Sequence, residues 1–169
     1  MAKPRNLSLI IGILIPIVMV LFVALSIYLP RLLANPQYDF VYVTNDSYYD
    51  FKYNYEVSED GLLSRVLIER HYPTDMAEDK IYLYNVSEKE STPISYQETT
   101  RLELDPSAKS PDGYEFVSGG GGGGVFPFFY SPGAYGKKFL KGHGASVEIN
   151  LTTFGNIRDN YKFIGWVTG

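Results

Sequence analysis

Cysteine is absent and histidine occurs only twice in the 169 residues. The first absence excludes a disulfide-stapled scaffold, a thiol nucleophile, a Cys-ligated zinc or iron–sulfur centre and an acylated lipoprotein. The second leaves little material for His-based metal or acid–base chemistry. A basic surplus is missing as well: 15 Lys and Arg stand against 19 Asp and Glu, a formal charge of −4. Nucleic-acid-binding domains carry the opposite balance, so no nucleic-acid partner is expected. No Gly-x-Ser-x-Gly nucleophile elbow occurs, and no carboxylate pair is marked by spacing. The sequence therefore points away from an enzyme, and no cofactor is expected.

What is present is unevenly distributed. Residues 7–29 contain no charged side chain. As a helix they would reach about 34 Å, enough to cross a hydrocarbon core of about 30 Å. The expectation is a transmembrane signal-anchor helix over 7–30, with Ile10, Leu14 and Leu21 in lipid and a kink at Pro16. Tyr28 would sit at headgroup level. Lys3 and Arg5 precede the stretch with no acid beside them, so residues 1–6 read as a cytoplasmic tail and the bulk of the chain as extracytoplasmic. The competing reading is a cleaved signal peptide, whose apolar core runs about 7–15 residues and ends in small residues. Here the core is longer, and the best cut, after Ala34, has Leu32 at the −3 position.

Residues 31–37 read as a short juncture and 38–169 as the outer domain. All 19 acids but only 12 of the 15 basic residues lie in 35–169, a net charge of −7 there. Of the 25 Tyr and Phe rings, only Phe22 and Tyr28 belong to the apolar segment. Phe51, Tyr53, Tyr55 and Val57 alternate with polar residues, the period of a half-buried strand. Ser58-Glu59-Asp60-Gly61 is a turn signal, and residues 62–70 return antiparallel. Further strands are expected over 40–43, 80–86, 114–118, 125–130, 137–141, 146–153 and 161–167, with a short helix within 97–104. The fold class is mostly β: one N-terminal helix, then an antiparallel domain.

The chain also repeats itself. Tyr38-Asp39-Phe40-Val41, Tyr114-Glu115-Phe116-Val117 and Tyr161-Lys162-Phe163-Ile164 share the pattern Tyr, charged, Phe, branched aliphatic. Ile68-Glu69-Arg70-His71 parallels Leu140-Lys141-Gly142-His143, and Tyr84-Asn85-Val86-Ser87 parallels Ile149-Asn150-Leu151-Thr152, in the same order. These marks predict two four-stranded modules, propeller-blade-like or sandwich-like, over 38–111 and 114–157, with a closing strand at 161–167. The strand at 80–86 followed by Ser110-Pro111-Asp112-Gly113 resembles a blade of the Tol-system β-propeller. About 135 outer residues are too few for a closed ring of at least about four blades. Over most of its length the chain is similar to small singly anchored proteins of candidate phyla radiation bacteria. That resemblance rests on the anchor, the Ser-Pro-Asp-Gly turn, the Phe126-Pro127-Phe128-Phe129 segment and Lys141-Gly142-His143, and it implies no activity.

Several features are candidate sites. Gly119 through Gly124 form an unbroken glycine run, but Val125-Phe126-Pro127 follows where a phosphate-binding loop needs Lys-Ser/Thr and a helix. It reads as a flexible hairpin tip. Phe126, Phe128, Phe129, Tyr130 and Tyr135 are the candidate partner-binding residues, although the aromatic segment 125–130 is favoured as core filling, with Pro127 keeping an exposed edge position open. His71 and His143 hold equivalent places in the repeat and are the alternative, metal-binding pair of a sensor or hydrolase. Asn45, Asn85 and Asn150 open glycosylation sequons. The function expected is a membrane-anchored structural or interaction module. Its partners would be the bilayer, through 7–30, and a protein or cell-envelope polymer.

Overall fold

The computed structural model describes residues 7–45, 51–68, 78–118, 137–152 and 161–169; within the first helix the side chains of 7–9, 27, 30 and 31 are outside the description. Helix α1 runs Leu7–Leu33, through Pro16 and Pro30, so it covers the expected apolar segment and shortens the juncture. Its described large apolar side chains, Ile10 to Leu33, are all about half exposed or more, Phe22 reaching 70%. Among the described residues no helix is long and apolar enough to cross a membrane.

The remaining elements are short strands: β1 Phe40–Thr44, β2 Tyr53–Val57, β3 Leu63–Leu67, β4 Lys80–Asn85, β5 Glu90–Ile94, β6 Leu104–Asp105, β7 Glu115–Ser118, β8 Lys138–Gly142, β9 Ala145–Ile149 and β10 Tyr161–Val167. One four-residue helix, α2 Tyr96–Thr99, starts on a capping box in which Ser95 and Glu98 satisfy each other's backbone N–H. Every described pairing is antiparallel.

The strands form a five-stranded sheet in the order β5-β4-β1-β10-β6, a three-stranded sheet β7-β8-β9 and a two-stranded hairpin β2-β3. The large sheet is the middle layer. Alternation along β1 sends Phe40 and Tyr42 to one face and Val41 and Val43 to the other, and all four are fully buried. Leu140 and Ile149 of the three-stranded sheet cover the first face. Tyr55 and Leu63 of the hairpin cover the second. A strand buried on both sides reads as a continuous apolar run, which is how 40–43 appears in the sequence.

This arrangement corrects the expected two four-stranded modules and gives no propeller blade among the described residues. The closing strand 161–167 does not cap a second module. It enters the middle of the large sheet as β10, between β1 and β6. The repeat marks ring positions instead of sheet boundaries: Phe40, Phe116 and Phe163, one from each copy, meet with centroids 5.5–5.9 Å apart. A register shift between Val41 and Tyr42 lets β10 accommodate an extra residue. Phe163 and Trp166, three positions apart, thereby reach the same face and lie 5.1 Å apart.

Candidate functional site

The end of the β-domain nearest α1 is built from two tight turns. Ser110-Pro111-Asp112-Gly113 is closed by Gly113 N–H donating to Ser110 O at 2.8 Å and Ser110 N–H donating to Tyr114 O at 2.7 Å. Pro111 stands where a fixed φ is favoured, and Gly113, at φ +84°, takes the left-handed position of a three-residue hairpin loop. The buried Ser110 hydroxyl accepts from Tyr114 N–H and lies in hydrogen-bond contact with Asp112 Oδ1. The second turn joins β8 to β9 through His143 and Gly144, at φ +50° and +76°, the signs of a type I′ hairpin.

The two turns interlock. A Cβ on Gly142 would stand 2.8 Å from Gly113 O and from Tyr114 Cδ1, so only glycine fits there. The His143 ring lies edge-on to Tyr114, centroids 5.3 Å apart. Its Nε2 is 2.6 Å from Asp112 O. A carbonyl only accepts, so Nε2 carries the proton and Nδ1 alone remains for a ligand.

The same turn holds the segment that leaves α1. Gln37 N–H donates to Asp112 Oδ2 at 2.8 Å, and Asn35 N–H donates to the Tyr114 hydroxyl at 3.0 Å. Between this end of the domain and the last turns of α1 lies a cleft of about 550 Å³. Its walls include Phe22, Leu25, Leu29 and Leu33 on the helix, with Tyr114 and His143 opposite.

Of the sequence-predicted site residues, His143 lies at this junction, and His71 is outside the described residues. Phe126, Phe128, Phe129, Tyr130 and Tyr135 also lie outside them. Ile10, Leu14, Leu21 and Tyr28 are exposed on α1, at 54–61%, and Pro16 is exposed within it. No group of three metal-capable side chains occurs among the described residues. Asn45 is buried and its amide nitrogen donates to Asp79, which removes that sequon as a glycan acceptor. Asp79 is a hub that also accepts from Lys52 N–H, Tyr53 N–H and the Tyr55 hydroxyl. Burial, then the Asp79 charge, pushes the Tyr55 phenol well above its ordinary range.

Sequence reasoning singled out the Ser-Pro-Asp-Gly turn and the Lys-Gly-His element separately. It missed that they touch, and that Asp112 and Tyr114 hold the backbone leaving α1. Nothing local in the sequence marks their contact, since Gly113 and Gly142 are distant along the chain. Comparison with known proteins finds no matching family, no matching curated protein and no matching solved structure.

Proposed function

We propose that this chain is a membrane-anchored extracytoplasmic β-domain, acting as a structural or interaction module without catalysis of its own. One observation carries the reading. A helix with apolar side chains exposed on all sides is joined without slack to the β-domain, by the Asn35 and Gln37 hydrogen bonds to Tyr114 and Asp112. An exposed surface of that kind is stable only against hydrocarbon or another apolar face. The sequence supports the same reading: residues 7–29 are uncharged, and the helical backbone continues through all of them. Lys3 and Arg5 favour a cytoplasmic N-terminus, with the −7 domain outside.

In this reading the juncture is a clamp instead of a tether. It holds the β-domain close to the lipid surface in one orientation, which suits a partner that is itself fixed in the envelope, whether a protein or a polymer. Membranes from cells producing the full chain test the anchor. After an alkaline carbonate wash the protein is expected in the pellet, with residues 38–169 digested by protease added outside the cell. Release into the wash, or protection of those residues, would overturn it. Crosslinking on intact cells tests the module: one neighbour recovered reproducibly is expected, and a monomer with none recovered argues against it.

A further inference from the structure

We propose that the cleft between α1 and the two interlocked turns holds an acyl chain of a phospholipid from the extracytoplasmic leaflet. The inference rests on the anchor reading and deepens it by naming a lipid contact of the β-domain itself. The cleft's helical wall, Phe22, Leu25, Leu29 and Leu33, is continuous with the exposed apolar surface of α1, so whatever covers that surface also reaches the cleft. Its volume, about 550 Å³, is in the range of small-molecule sites, which are mostly apolar with a few polar groups.

The opposite wall supplies those groups. The Tyr114 hydroxyl accepts from Asn35 N–H, which leaves its own proton to donate, and no acceptor for it occurs among the described residues. His143 keeps Nδ1 uncommitted, because Nε2 donates to Asp112 O. An apolar helical wall facing a phenol and an imidazole matches a glycerolipid, with chain against helix and ester or phosphate oxygens toward Tyr114. The helix end would then sit in the headgroup zone, where amphipathic rings are favoured.

The test uses the full chain in vesicles of phosphatidylethanolamine and phosphatidylglycerol carrying a phospholipid with a photoactivatable acyl chain. After irradiation, adducts are mapped by peptide mass spectrometry. The expected result is label on Tyr114 and His143 as well as along α1. Leu29→Trp and, independently, Leu25→Trp narrow the cleft; each is expected to lower label on Tyr114 and His143 relative to label at Ile13 and Ile17, which persists. Label along α1 with none on Tyr114 or His143 overturns the cleft site and leaves the anchor standing. Undiminished label on Tyr114 and His143 in both variants also overturns it. No label on α1 overturns the anchor reading, and the cleft site falls with it.

Discussion

Tyr42 and Tyr84 sit on neighbouring strands of one sheet, and both are buried, yet their hydroxyls stand in opposite situations. The Tyr42 hydroxyl bonds Ser91 Oγ at 2.9 Å and accepts from Thr152 N–H at 3.0 Å. The Tyr84 hydroxyl is buried with no hydrogen-bond partner among the described residues; the Asn150 backbone nearby opposes the rise of its pKa without satisfying it. A buried polar group left unpaired costs about 1–3 kcal/mol. Tyr84→Phe is therefore expected to be neutral or to stabilise by up to about 1 kcal/mol, whereas Tyr42→Phe should destabilise by about 1–2 kcal/mol. Chemical denaturation of both variants checks the sign.

The same burial gives a pH dependence. Desolvation raises the phenol pKa of Tyr42, Tyr55 and Tyr84 above the ordinary value of 10.0. The folded state then holds protons that the unfolded chain releases, so this stability is complete below pH 10 and falls as pH rises through and beyond it. Glu98 acts at the other end: its hydrogen bonds to Ser95 lower its pKa, so its contribution is present above the ordinary carboxyl range and fades as pH drops through its folded value. Unfolding free energy followed upward from neutral pH should fall above about pH 10 as the unfolded chain ionises at Tyr42, Tyr55 and Tyr84 ahead of the folded one.

Among elements, the two interlocked turns have the most specific requirements. Gly142→Ala would drive a methyl group into Gly113 O and Tyr114, and overpacking of this kind costs about 1–3 kcal/mol. Asp112→Ala removes the acceptor of Gln37 N–H and the partner of Ser110 Oγ. Hydrogen exchange should then show faster exchange at the Gln37 amide, with β10 protected as before. The strands themselves were largely legible. The alternation of Phe51 to Val57 predicts β2, and the apolar run at 40–43 predicts β1. β5 escapes detection because Glu90-Ser91-Thr92-Pro93-Ile94 is polar, mostly exposed and interrupted by proline, which only an edge strand tolerates. The turns were legible one by one; their contact was not, because Gly113 and Gly142 meet only through the fold.

At the scale of the whole molecule, the sequence signals identity of strands but not their partners. The Tyr-charged-Phe repeat is real in three dimensions, as the Phe40, Phe116 and Phe163 cluster shows, yet it does not divide the sheets. Register between distant strands depends on ring packing across layers, and local alternation carries no record of it. Among the described residues Phe40 packs against the rings of Tyr42, Tyr84, Phe116, Phe163 and Trp166, the last of them fully buried. Trp166→Ala is expected to cost about 3–5 kcal/mol, a large share of the roughly 5–15 kcal/mol that holds an ordinary domain folded. Trp166 is also the chain's single tryptophan, so its fluorescence during refolding in detergent reports directly on closure of the central sheet. Pairing as non-local as this predicts closure in milliseconds to seconds.

The adjacency of β1 and β10 also bears on synthesis. Phe40 pairs with Trp166, 126 positions later, and every other described strand lies between them in the chain. The middle of the sheet therefore stays open on one side of β1 until residues 161–167 have been translated. A ribosome that stops before residue 161 releases a polypeptide whose central strand has no neighbour on that side, and proteolysis is its expected fate.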